Sequence, residues 1–148
     1  MKSLKYLVIH CTDTPEGREI SSADIRRWHL VERGWHQVGY TDMIHLDGRV
    51  ERLVENDDDA YVEDWEITNG VRGQNSVSRH VVYVGGKDRK NITATDTRTA
   101  AQKKALADYC RKVKETVPGV KIVGHRDLDK NKACPSFDVK SWLKSEGI

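Results

Sequence analysis

A chain of 148 residues with net charge +2, 37% hydrophobic and 32% charged residues is long enough to bury roughly 70% of its unfolded surface in one globular domain. No apolar run approaches the ~18 residues of a membrane-spanning helix. The first apolar run is only Tyr6 to Ile9, a strand pattern and not a secretory leader, so synthesis in the cytoplasm without a signal peptide is expected. Three cysteines, Cys11, Cys110 and Cys134, cannot all pair, which argues against a disulfide framework.

In chain order, Leu4 to Cys11 reads as a strand that ends in the turn-rich Thr12–Gly17. Ser21 or Ser22 can cap a helix that places Ile25, Trp28 and His29 on one face and stops at Gly34. Gly39–Leu46 and Arg49–Val54 flank Asp47-Gly48, a hairpin signal. Between Glu55 and Glu66 stand seven acids and no Lys or Arg, so the rest of the chain carries +9. Such a run reads as a solvated acidic loop beside a basic body. The basic body suits an anionic polymer, but no nucleic-acid motif accompanies it and nucleic acid is not an expected partner. Together with 69–76, this segment predicts a long surface excursion.

Val77–Val84 is a second strand, whose run Val81-Val82-Tyr83-Val84 implies burial on both faces, and Gly85-Gly86 ends it. A polar loop follows over 87–95. Thr97 or Thr99 then caps a long amphipathic helix to Val117, in which Cys110 shares a core face with Leu106, Val113 and Val117. Lys121–Val123 is a short strand that delivers His125, and Asp138 can cap a final helix carrying Trp142 and Leu143. Strands interleaved with helices predict a single α/β domain over 1–148, a central mixed sheet flanked by helices.

Three of these residues form a chemical set. His10 ends the first strand, His125 follows a short strand, and Cys134 comes nine residues after it. Two imidazoles and one thiolate are a three-ligand zinc set that leaves the fourth tetrahedral position to water, as in hydrolytic centres, whereas a structural zinc would be closed by a fourth protein ligand. Cys11 must point to the opposite face from His10, toward a core. The other histidines read as packing or surface groups: His29 on the first helix, His36 in a loop, His45 and His80 within strands.

Seven stretches in order, Val8–Thr12, Ile25–His29, Gly34-Trp35 with Val38–Tyr40, Leu46–Glu51, Val84–Gly86, Thr99–Gln102 and Lys132–Asp138, resemble the zinc-dependent N-acetylmuramoyl-L-alanine amidases of the type-2 family. That family includes phage endolysins and shares its fold with peptidoglycan recognition proteins. The resemblance implies zinc held by His10, His125 and Cys134, with Tyr40 and Lys132 as catalytic residues. It further implies peptidoglycan as substrate, cleavage of the muramoyl–L-alanine amide, and an endolysin that acts on the wall after release, expected as a monomer. The alternative within the resemblance is a recognition module that binds peptidoglycan without cutting it; non-cleaving relatives typically lack the cysteine ligand, which Cys134 supplies. The chain departs from the family pattern at Thr41-Asp42, at Gly70 (where relatives often carry His), and at Val77–His80, which replaces a Ser-Ile-Gly. Near these departures, Arg72 and Arg79 are candidates to grip a stem-peptide carboxylate, since a guanidinium pairs bidentately with that group.

Overall fold

The run Leu7-Val8-Ile9 is buried on both sides because its strand sits inside a five-stranded sheet. The computed structural model describes residues 1–148. Its main sheet comprises β1 (Tyr6–Cys11), β2 (Asp42–Ile44), β3 (Val50–Arg52), β4 (Ser78–Tyr83) and β5 (Lys121–Gly124). Their spatial order is β3-β2-β4-β1-β5. β1 runs parallel to both β4 and β5, β2 runs parallel to β4, and β3 alone is antiparallel, paired with β2 across the Asp47-Gly48 turn. The predicted mixed sheet is borne out, although the hairpin strands are shorter than their sequence pattern suggested.

Alternation assigns the two faces. Leu7, Ile9 and Cys11 of β1, with Val81 and Tyr83 of β4, pack against α2 (Ala100–Thr116) and α4 (Val139–Glu146) in a core of 16 buried residues. Met43 and Val82 face the other way, toward Ile20, Ile25 and Val38, in a cluster of only eight. Half the cover leaves that second face open at the strand ends. Cys110 lies fully buried in the larger core, as its helical spacing predicted.

The helix ends follow local chemistry. Thr99 caps α2 in a reciprocal box with Gln102, whose buried Nε2 also donates to the Val84 carbonyl at 2.9 Å. Asp138 caps α4 through the Ser141 N–H, and Gly147 closes it in the left-handed region at φ 71°. The first helix, α1 (Ser22–Arg26), is capped by Ser21 with Asp24 and then widens into π-type turns over Arg27–Glu32 before Gly34 ends it. The helix therefore stands where the caps placed it but winds differently from a regular α-helix. A short helix α3 (His125–Leu128) follows β5 directly.

The acidic segment is less of an excursion than its composition suggested. Tyr61–Val62 pairs antiparallel with Lys2–Ser3, Arg52 bridges Asp42 and Asp58 at 3.0 and 2.9 Å, and Arg79 anchors the remainder. Arg79 Nη1 donates to the Asp59 carbonyl at 2.7 Å, Nη2 donates to the Tyr61 carbonyl at 2.9 Å, and the Glu66 carboxylate lies 3.6 Å away. Both side chains of the Arg79–Glu66 pair are buried, at 7% and 1% exposure. This corrects the expectation that Arg79 reads substrate. Strand alternation turns it toward the α2 side, and its guanidinium is already occupied by the acidic segment.

Removing Arg79 would strand the Glu66 carboxylate in a dry site. Arg79→Ala is therefore expected to destabilise the fold by about 3 kcal/mol, the scale for breaking a buried pair, as a lower urea midpoint. An unchanged midpoint would contradict the tether.

Candidate active site

β1 and β5 are paired so that Ile9 lies beside Gly124. The next residue of each strand is a histidine, so His10 and His125 leave adjacent parallel strands together, with ring centroids 4.8 Å apart. The third member arrives by a loop. Gly124 is required at that approach, since a Cβ there would stand 2.8 Å from Pro135 Cδ. The loop is then fixed by hydrogen bonds: Arg126 N–H donates to the Cys134 carbonyl at 2.8 Å, and Tyr83 Oη donates to the Pro135 carbonyl at 2.6 Å. Cys11 N–H donates to Cys134 Sγ at 3.2 Å, a contact that favours the thiolate.

The donor atoms of His10, His125 and Cys134 all lie within 4.8 Å of one another, and His10 Nδ1 stands 3.8 Å from Cys134 Sγ. A tetrahedral ion with N and S bonds of ~2.05 and ~2.3 Å sets those atoms about 3.6 Å apart. The set therefore fits a metal of that size and softness. Burial, then the neighbouring His80 and His125, hold the His10 imidazole well below its ordinary pKa; burial and Lys132 lower that of His125. Both shifts favour the neutral imidazole, the form a ligand needs. The Cys134 thiol is pushed up by its contact with Cys11 and by burial, a bias that a bound cation reverses.

These three side chains stand at a cleft of about 620 Å³, where His10 and His125 form part of the lining with Tyr40, Lys132 and Arg72. Tyr40 is half-buried in the bend before β2, its ring 5.2 Å from His10 and 5.2 Å from His29. Burial and the two nearby thiols raise its pKa, so its hydroxyl stays a donor. Lys132 is exposed at the rim beside His125 and Asp129, and Arg72 is exposed on the rim formed by the 69–75 loop. The cleft thus gathers His10, His125, Tyr40, Lys132 and Arg72, with Cys134 behind its lining against His10 and Arg79 elsewhere.

Two buried imidazoles at this site were not singled out. His29, on the π-wound turn, is buried and its Nδ1 accepts the Gly39 N–H at 2.9 Å, just ahead of Tyr40. His80 is fully buried and its Nδ1 lies 2.9 Å from His10 Nε2. Helical spacing put His29 on one face with Ile25, and both are buried, but it gave no sign of the contacts His29 makes with Gly39 and Tyr40. The position of His80 depends on pairing with a strand 70 residues away. Alternation along Val77–Val84 was the one available signal, because it separates His80 from Arg79.

Burial, then Arg33, push the His29 imidazole down to about 4. The unfolded chain protonates it near 6.5, so unfolding takes up a proton between those values and stability falls as the pH drops through that window. His29→Gln keeps an acceptor for the Gly39 N–H and is expected to flatten that part of the stability–pH curve in urea titrations from about pH 7 to 4. An unchanged slope would contradict the assignment.

Comparison with known proteins gives one consistent result. The family model described as N-acetylmuramoyl-L-alanine amidase matches residues 1–137. The chain is 36% identical over 137 residues to the endolysin of Enterobacteria phage K11, covering 93% of this chain and 83% of that one. It is 37% identical over 142 residues to the endolysin of Klebsiella phage KP32, covering 96% and 87%. Among solved structures, the Ph2119 endolysin from a Thermus scotoductus bacteriophage superposes with a TM-score of 0.74 at 25% identity, covering 99% of this chain and 86% of that one. Drosophila PGRP-LB, at 19% identity and a TM-score of 0.70 over 98% and 82%, shares the fold. With the matched model spanning both strand-end histidines and the cysteine loop, the chain belongs to the N-acetylmuramoyl-L-alanine amidase family.

Proposed function

We propose that the chain is a zinc-dependent endolysin that hydrolyses the amide between the lactyl group of N-acetylmuramic acid and L-alanine in bacterial peptidoglycan. The observation that carries this reading is the convergence of His10, His125 and Cys134 within 4.8 Å, beside a cleft that also presents Tyr40 and Lys132. His10 and His125 would hold the ion through neutral imidazoles and Cys134 through its thiolate, with the fourth side left toward the cleft. Bound zinc supplies a Lewis acid that acidifies water and polarises a carbonyl.

The remaining work falls to the protein. The Lys132 ammonium, on the rim next to His125, meets the negative charge that develops on the scissile carbonyl oxygen. The Tyr40 hydroxyl, kept protonated by its surroundings, orients the attacking water or passes a proton toward the leaving L-alanine nitrogen. Arg72, on the cleft rim, pairs with a stem-peptide carboxylate in this reading. The enzyme acts as a monomer, made in the cytoplasm and working on the wall after release. A module that only binds peptidoglycan would have no use for a thiol pinned beside two neutral imidazoles.

Digestion of purified peptidoglycan tests the reaction: new L-alanine N-termini with intact glycan strands are expected, and glycan cleavage or cuts within the stem would refute it. Cys134→Ala should lose both metal and turnover. Lys132→Ala and Tyr40→Phe should keep zinc but fall by about 10² in turnover; parental rates in both would remove them from the mechanism.

Specificity has its own measurement. Arg72→Ala is expected to raise KM chiefly for diaminopimelate stems, with kcat little changed, because ground-state binding is what is lost. Identical kinetics on diaminopimelate and lysine stems, in parent and variant alike, would leave Arg72 without a recognition role.

A further inference from the structure

His80 occupies space that the chain has cleared for it. A Cβ at Gly70 would collide with the His80 ring, so an imidazole reaching in from β4 and any side chain on the loop at 70 exclude one another. In that space His80 makes two ring contacts. Its Nδ1 lies 2.9 Å from His10 Nε2, and its Nε2 lies 3.0 Å from Asn75 Oδ1.

The direction of this chain of hydrogen bonds can be settled from its far end. Asn75 Oδ1 also accepts the backbone N–H of Val71 at 2.8 Å. A backbone N–H can only donate, which fixes the oxygen, and not the amide nitrogen, of Asn75 at this point. His80 Nε2 must then be the donor to that oxygen. A neutral imidazole with its proton on Nε2 offers a lone pair at Nδ1, so His10 Nε2 must carry a proton and donate to it. The remaining nitrogen of His10, Nδ1, is left with its lone pair in the ring plane, 3.8 Å from Cys134 Sγ. That is the side on which the three donors converge.

We infer that Val71, Asn75 and His80 form a positioning relay that holds His10 in the Nε2-protonated tautomer and aims its Nδ1 lone pair at the metal position. The inference deepens the zinc reading and rests on it. His80 is a positioning residue: it lies behind His10 and acts through that ring alone. Partners of this kind, which accept the second N–H of a ligating imidazole, typically change metal affinity 10–100-fold when removed.

Two readouts test the relay, neither of them turnover. Long-range ¹H–¹⁵N correlation spectra of metal-free protein with labelled histidines report each ring's tautomer. His10 and His80 are both expected with the proton on Nε2, and a His10 ring protonated at Nδ1 would overturn the relay. Zinc affinity by chelator competition is the second. His80→Leu and Asn75→Leu are expected to bind zinc more weakly, the former by 10–100-fold. His80→Asn, whose Oδ1 can take the place of the ring Nδ1 as acceptor, should recover most of that loss. Should His80→Leu fail to fold, Asn75→Leu and the tautomers of the parent decide. Parental zinc affinity in the leucine variants refutes the relay while leaving the metal site standing. A parent that binds no zinc refutes the zinc reading and the relay's purpose with it.

Discussion

Two parallel strands ending side by side set everything else in the cleft. Because Ile9 pairs with Gly124 and His10 pairs with Val82, the C-terminal ends of β1 and β5 present their histidines at one point, where open α/β sheets characteristically bind ligands. A slip of one residue would turn His10 into the core and Cys11 out of it. The large apolar face of β1 prevents this, since Leu7, Ile9 and Cys11 all belong to the buried cluster under α2 and α4. The placing of His10 among the three donors is thus secured by hydrophobic burial on the opposite side of the same strand. The cysteine then needs only a short loop, held to β1 by the Cys11 N–H and admitted by the bare Cα of Gly124.

The same division runs through β4. Arg79 and His80 are neighbours in sequence and work on opposite faces. Arg79 stitches the acidic 55–66 segment to the body, and Arg52 does the same from β3. His80 backs the site residue His10. One face is closed and electrostatically tied; the other is thinly covered and open to a polymeric substrate. Seven of the 23 acids are gathered in that one tethered segment, away from the cleft, where Lys132 and Arg72 stand with Asp129.

Much of this was legible in the sequence, for identifiable reasons. Ser21, Thr99 and Asp138 are local caps whose side chains bond within three residues, so helix starts could be read directly. His10, His125 and Cys134 stand at element ends, where chain direction alone suggests a cleft. What could not be read depends on distant registration. The π-winding that turns His29 toward Tyr40, the pairing that sets His80 against His10, and the burial of Arg79 under Glu66 each join residues 10 to 70 positions apart. For Arg79, a place beside the stretch that departs from the family pattern suggested a substrate contact, yet its partner was an acid in a segment that composition marked as solvated. Gly70 is the informative case, because its absent side chain has meaning only once the His80 ring is placed beside it.

The central claim is that one thiolate and two strand-end imidazoles hold the metal. X-ray absorption at the zinc edge of protein loaded with one equivalent tests it most directly. The account predicts a single site with two imidazole nitrogens at ~2.0 Å and one sulfur at ~2.3 Å, the fourth position filled by a light solvent atom. A spectrum without sulfur, or one showing four protein ligands, would contradict it.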